Sequence, residues 1–362
     1  MPPRTTVWQQ DEQTRGKHLV LQSYLDGWFP ILGSWNKRLL FIDGFAGPGE
    51  YDRGEPGSPV IGLDCVRRCK VRGELADVEV IAVFMESDKD RFRHLENLMK
   101  RRRSEDGKHG IEHQVLYGSF DDHMTLILDY LDQQRLNLAP AFVMIDPFGV
   151  KGNRMDLIER ILRNSSSECM ISFMYEPIRR FKGQWEYEQP LDQLFGDRSW
   201  RECLNMEERA SKSFLHGLFR RRLKSCGAKH VVFFEVLRQN RHIYTIYFAT
   251  GHEQGCDLMK QAIWKADPTG GYAVRGYAGR HGVLFGADTE PLAKQLQDNF
   301  GNAPTPIEDI EQFVMSDATV FHKGHLRQRT LAGLEKVGRI SVNRPQGGRG
   351  FPSGRGITIQ FG

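Results

Sequence analysis

The stretch IDGFAGPGEY, residues 42–51, closes an apolar run with an acid, Asp43, and then turns on Gly44, Gly47 and Gly49. Glycines directly after a strand let backbone approach a ligand at a distance that a Cβ would forbid. The turn contains neither the G-x-x-x-x-G-K-[ST] of a phosphate loop nor the G-x-G-x-x-G of a dinucleotide site. An uncharged glycine turn preceded by an acid suits a ligand with a cationic centre and an amino-acid end, and S-adenosylmethionine is such a ligand. The same glycines would also serve an ordinary strand-to-helix turn.

A second acid, Glu86 in VFMESDKDRF, ends another apolar run, where a carboxylate can accept both ribose hydroxyls of a nucleoside. It lies 37 residues beyond Gly49, against the ~20 usual between such elements. The surplus falls in EYDRGEPGSP, read as an inserted loop over the same crevice, before a helix that Ser58 caps and Pro59 starts. In GSFDD the backbone of Ser119 and Phe120 is placed for the adenine edge and face. The expected cofactor contacts are therefore Asp43, Phe45, Ala46, Gly47, Gly49, Glu86, Ser119 and Phe120.

The third stretch, IDPFGVKG, supplies residue types for the reaction itself. The Asp146 carboxylate and the Pro147 carbonyl accept the N–H bonds of an exocyclic amine, and Phe148 stacks on its base. Aiming the amine lone pair at a sulfonium methyl is then mostly positioning and electrostatics. The alternative has Asp146 capping the next helix and Phe148 in the core. His18, beside Lys17 on the leading helix, either covers the cofactor or faces solvent. Glu176 ends the fifth strand with Arg179 and Arg180 beyond it, as a substrate-facing acid with phosphate contacts or as a surface ion pair.

These stretches need a scaffold that brings them to one edge. Residues 17–33 space Leu19, Leu21, Tyr24, Leu25 and Trp28 on one helical face. Seven short β-rich runs follow, at 38–43, 78–86, 112–118, 141–146, 168–176, 230–237 and 242–250, with helical segments between the first five. Near-continuous apolar strands alternating with helices imply a parallel sheet covered on both faces. Only RQNR separates the sixth and seventh runs, so they are expected to pair antiparallel. A parallel sheet closing in a hairpin is the Rossmann-like methyltransferase architecture, assigned here to residues 1–265.

Residues 266–304 are rich in Gly, Pro and Asp and read as a loop-rich linker. In 305–362, Thr305, Pro306 and Glu308 fit a capping box opening a helix. A second helix follows, and then two short strands around a Gly/Arg loop, which is the pattern of a winged helix-turn-helix domain. From Lys323 onward eight Lys or Arg face the single Glu335. Arg327, Arg329, Arg339, Arg344 and Arg349 are the candidate nucleic-acid contacts, although a solvated tail or a protein-binding winged helix has the same composition.

The whole chain, with a net charge of +4, 40% apolar and 27% charged residues, is ordinary for a globular protein. It has no apolar run of membrane-spanning length and no signal-type N-terminus, so a cytoplasmic location is expected. Six scattered cysteines without zinc-ligand spacing are expected to be reduced, with no metal site.

Taken together, FIDGFAGPGEY, MESDKDRF and MIDPFG resemble the motifs of class I S-adenosylmethionine-dependent methyltransferases. The D-P-F-G form resembles tRNA guanine-N2 methyltransferases and, more loosely, the D-P-P-Y of amino-methylating enzymes, whose second proline it lacks. With KHLVLQSYL, SPVIGL, FMYEPIRRF, LFGDRSW and GCDLMKQAIWKADPTGG included, the chain is similar nearly end to end to the bacterial three-Cys-motif partner protein family. That resemblance implies a separate partner carrying the three cysteines, an Fe–S protein, and no cluster in this chain. The expected activity is methyl transfer to an exocyclic base nitrogen of RNA or DNA. The alternatives are a non-catalytic nucleic-acid-binding adaptor for the three-cysteine partner, and a methyltransferase acting on protein or a small molecule.

Overall fold

The computed structural model describes residues 5–238, 241–275 and 287–362. The leading helix α1 (Glu12–Gly33) is capped by Asp11, whose carboxylate accepts from Thr14 N. The sheet strands are β1 (Arg38–Asp43), β2 (Glu79–Glu86), β3 (Ile111–Tyr117), β4 (Ala141–Ile145), β5 (Glu168–Phe173), β6 (His230–Arg238), β7 (Arg241–Thr250) and β8 (Ala273–Arg275). Between them run α2 (Ser58–Val71), α3 (Lys89–Lys108), α4 (Phe120–Gln133), α5 (Met155–Leu162), α6 (Tyr175–Phe181), α7 (Glu188–Phe195), α8 (Glu208–Ser225) and α9 (Glu253–Ala266).

The strand order is β3-β2-β1-β4-β5-β7-β6-β8. Strands β1 to β5 are parallel, β7 runs antiparallel to both β5 and β6, and β8 is parallel to β6. This is the expected mostly parallel sheet with its terminal hairpin. Every residue of β4 and β5 is buried, as central parallel strands require, whereas the edge strand β3 alternates and exposes Glu112 and Gln114. One face packs on α1, α2 and α9 around Tyr24, Trp28, Phe41 and Phe142, and the other on α5, α7 and α8 around Phe173, Trp200 and Phe219.

The 266–304 stretch departs from a simple linker. It contributes β8 to the sheet and a further helix, α10 (Glu290–Phe300), while 276–286 lie outside the described residues. Leu292 and Leu296 of α10, with Trp264 of α9, join the apolar core of the C-terminal unit. That unit comprises β9 (Thr305–Pro306), α11 (Ile307–Met315), a helical run over 323–336 containing a π-helical turn at Leu326–Leu331, and the antiparallel pair β10 (Ile340–Asn343) and β11 (Thr358–Phe361).

Three local expectations are corrected. Thr305 and Pro306 pair with Ile359 and Thr358 as a short strand, and the Glu308 carboxylate accepts from Gly354 N at 2.6 Å, so cross-chain pairing replaces the capping box. Ser58 is the first residue of α2, behind Gly57, and makes no side-chain cap. Glu176 sits in the first turn of α6, bonded to Arg179 at 2.9 Å, rather than at a strand end.

The C-terminal unit is tied to the sheet by Asp317. Its carboxylate lies 2.9 Å from Arg220, 2.8 Å from Lys224 and 3.6 Å from His230, and accepts from Val231 N at 3.1 Å. Burial opposes its charge, but these donors outweigh it and hold the acid well below the ordinary carboxylate range. Lys260 on α9 donates to the carbonyls of Val314 and Ser316, which end α11.

Candidate functional site

The strand order reverses between β1 and β4, and the crevice outside their carboxyl ends is where open α/β sheets hold ligands. Asp43 ends β1, and Asp146 follows the last residue of β4. The register pairs Asp43 with Met144, so topology alone brings two acids from distant sequence to one place. Asp43 is fully buried; desolvation pushes it up to about 6, against the opposing pull of the Ser58 hydroxyl and the Phe45 N–H, which donates to it at 3.1 Å.

The glycine turn is tied to β2 by two bonds. Ala46 N donates to the Met85 carbonyl at 3.0 Å, and Gly47 N to the Glu86 carboxylate at 2.8 Å. The other Glu86 oxygen accepts from Asp88 N at 2.7 Å. Burial raises Glu86 despite these bonds, and each oxygen keeps a further lone pair for a ligand donor.

The glycines divide by role. Gly47 has φ +61°, and a Cβ there would meet only Trp8, at 3.8 Å. Gly49 has φ +84°, but its Cβ would stand 2.6 Å from Leu95 and 2.9 Å from Leu98, so α3 requires it. A Cβ at Gly44 would fall 2.3 Å from the Phe120 ring. Only Gly47 is thus placed for a ligand; Gly44 and Gly49 serve the protein's own packing.

Asp146 has two close partners. The ammonium of Lys17, from α1, binds one oxygen and the Ser172 hydroxyl of β5 donates to the other. Burial opposes both charges of the pair, yet mutual attraction prevails: Lys17 is held above its usual value and Asp146 below its own. Neighbouring His18 is pushed down to about 3, by burial first and Lys17 second, and stays neutral. Sequence reasoning gave Lys17 no role, although the signal was present. Lys17 lies on the face of α1 that carries Leu21, Tyr24 and Trp28, an unusual place for a cation.

The insertion after Gly49 and the N-terminal segment close over this pair. Tyr51 places its ring 5.8 Å from those of both Trp8 and His18, and Asp52 N donates to the Trp8 carbonyl at 3.1 Å. The Arg91 guanidinium lies 5.0 Å from the Trp8 ring and 5.9 Å from that of Phe148. Phe148 is half exposed, so its ring is at the crevice rather than in the core. Pro147 is buried beside it.

The remaining expected contacts have the following surroundings. Ser119 caps α4, and the Phe120 side chain is buried against Gly44 and Phe45, which leaves only backbone for a ligand. In the C-terminal unit Arg327 pairs with Glu311, Arg339 with Glu290 and Arg344 with Glu335, so these cations are already neutralised within the protein. Arg329 and Arg349 are exposed and form no ion pair among the described residues. All six cysteines are buried and free, no metal-binding group of three or more His, Cys, Asp or Glu is formed among the described residues, and none of the described helices is long and apolar enough to cross a membrane.

No family model and no curated protein matches the chain. Solved structures do. An O-methyltransferase from Bacillus cereus in complex with SAH is 11% identical, covering 63% of this chain and 80% of its own, with a TM-score of 0.34. A magnesium protoporphyrin IX methyltransferase from Synechocystis PCC 6803 with bound SAH is 10% identical over 67% of this chain and 89% of its own, with a TM-score of 0.33. The METTL16 methyltransferase domain is 14% identical over 64% of this chain and 83% of its own, with a TM-score of 0.29.

Proposed function

We propose that the chain binds S-adenosylmethionine in the crevice and transfers its methyl group to nucleic acid, with an exocyclic base nitrogen as the acceptor. The observation that carries this reading is Glu86: a buried carboxylate at the end of β2, fixed by Gly47 N and Asp88 N, beside the point where the strand order reverses. A ribose with two hydroxyls fits the lone pairs that remain, and Gly47, with a positive φ and no Cβ, would let the turn's backbone approach the ligand closely. When bound, the cofactor supplies a methyl on a positively charged sulfur.

The chain's own residues would position rather than deprotonate. Lys17 is held protonated and His18 neutral with a weakened basicity, while Asp146 is a poor base because Lys17 and Ser172 stabilise its charge. The acceptor amine would donate to a remaining lone pair of Asp146 while Lys17 stays paired, with the Pro147 carbonyl as second acceptor and the Phe148 ring against the base, and the proton that the methylated nitrogen loses would pass to solvent. We read the C-terminal unit as a winged helix. Exposed Arg329 and Arg349 support phosphate contact there, and Arg327, Arg339 and Arg344 would have to exchange an internal acid for a phosphate.

One observation favours the second reading, a nucleic-acid-binding adaptor for a three-cysteine Fe–S partner: both oxygens of Asp146 are already engaged within the protein. Incorporation of labelled methyl into RNA, DNA and protein from a strain lacking this chain separates the two. Methyl transfer to nucleic acid that is lost in Asp146→Ala supports the enzyme. Salt-dependent nucleic-acid binding without transfer, unchanged in that variant, supports the adaptor.

A further inference from the structure

The sheet face opposite Lys17 carries a second groove of about 370 Å³, between α8 and the β6–β7 hairpin. Side chains alternate along a strand, and the register sets Phe233 against Tyr247 and Glu235 against Thr245, so all four face this groove. Tyr247 belongs to the core on the α8 side, whereas the adjacent Ile246 packs with the core on the α1 side. The groove therefore lies on the α8 side of the hairpin, and its lining includes none of the residues named for the crevice.

Its chemistry exceeds what packing needs. Phe233 leaves 42% of its surface exposed, with its ring 5.7 Å from that of the buried Tyr247. The Tyr247 hydroxyl meets His216 Nδ1 at 2.6 Å, which leaves the buried His216 Nε2 without a hydrogen-bond partner among the described residues. Arg209 and Lys212, three apart on α8, line the wall and form no ion pair among the described residues; Lys212 makes only a ring contact with Tyr175, at 5.6 Å. Arg220 completes the wall and is the cation that Asp317 grips, so this groove shares a side chain with the anchor of the C-terminal unit.

We infer that this groove binds a nucleotide: a flat base on Phe233, its polar edge on Glu235, and its phosphate on Arg209 and Lys212. An aromatic face with cations at its rim is how proteins hold a nucleotide without reading its sequence. The inference does not rest on the crevice reading, since the two sites share no residue and can fail separately. The shared chemistry has two sources, a free mononucleotide or a nucleotide within a strand.

The test is calorimetric titration of the full chain with AMP, GMP and a 5′-phosphorylated single-stranded oligonucleotide. Wild type, Phe233→Ala, the Arg209→Ala/Lys212→Ala pair and Glu86→Ala are compared, with thermal midpoints to confirm folding. Binding weakened about tenfold or more in both groove variants, and retained in Glu86→Ala, is the expected result. An oligonucleotide that binds far tighter than AMP assigns the groove to a strand, and equal affinities assign it to free nucleotides; either supports the inference. No binding by the wild type, or binding lost in Glu86→Ala and indifferent to the groove variants, overturns it.

Discussion

Replacing Asp146 by Ala would leave the Lys17 ammonium, whose side chain is only 8% exposed, without its carboxylate. Breaking one side of a buried ion pair costs about 3–5 kcal/mol, because the remaining charge cannot recover its hydration. The Asp146 side chain is 21% exposed, which moves the expectation to the lower end, ~3 kcal/mol. With a urea dependence of ~3 kcal/mol/M, the unfolding midpoint should fall by about 1 M, followed by tryptophan fluorescence.

The partner variant, Lys17→Met, has a distinct pH signature. In the wild type Asp146 is depressed, so its contribution is present above the ordinary carboxylate pKa and is lost as pH falls through the folded value. Without Lys17 the buried acid is expected to shift upward instead, so the variant's deficit should shrink as pH falls from 7 toward 5. Lys17→Met combined with Asp146→Leu should recover most of the loss, giving a coupling of about 2–4 kcal/mol in a double-mutant cycle. A deficit under ~1 kcal/mol for Asp146→Ala, with additive single effects, would refute the pairing argument.

Two further outcomes follow from the same packing. Gly49→Ala combines a positive φ with a Cβ inside the contact distance of Leu95 and Leu98, and should lower stability by about 2–4 kcal/mol; Gly47→Ala, whose Cβ would meet Trp8 at an ordinary 3.8 Å, should lose only ~1 kcal/mol from its positive φ, and a thermal melt distinguishes them. Glu168 is buried where Tyr24 and Thr250 donate to it, and desolvation pushes it from 4.5 up to about 7. A raised acid binds its proton more tightly when folded, so stability should fall by up to ~3 kcal/mol as pH rises from 4.5 through 7, with Asp43 adding in the same direction; Glu168→Gln should flatten the slope in denaturant titrations.

The sheet was legible because its strands are buried on both faces and therefore read as unbroken apolar runs, and because RQNR leaves room only for a hairpin. β8 escaped because three residues inside a Gly-rich stretch carry no period, and α10 because the Gly, Pro and Asp around it dominated the composition of the same stretch. The capping box failed through tertiary override: β11 supplies a partner to Thr305 and Pro306 that local sequence does not reveal. At the site, Asp43, Glu86 and Asp146 were legible from their positions at strand ends. Ser172 and Lys17 were not, because their meaning depends on β5 and α1 converging on Asp146, which no spacing records. The arginines of the C-terminal unit were legible as a basic excess, but their pairing with Glu290, Glu311 and Glu335 needed the fold.

The central claim is that the Glu86 crevice holds S-adenosylmethionine, and calorimetry with that ligand on wild type and Glu86→Ala tests it most directly. Hydrogen bonds to a charged acceptor contribute about 1.5–3 kcal/mol each, so one lost ribose contact should weaken binding by about tenfold or more. Saturable binding to the wild type that drops by this factor in Glu86→Ala, with the variant still folded, is the predicted result. No binding to the wild type, or equal binding to both, would contradict the account.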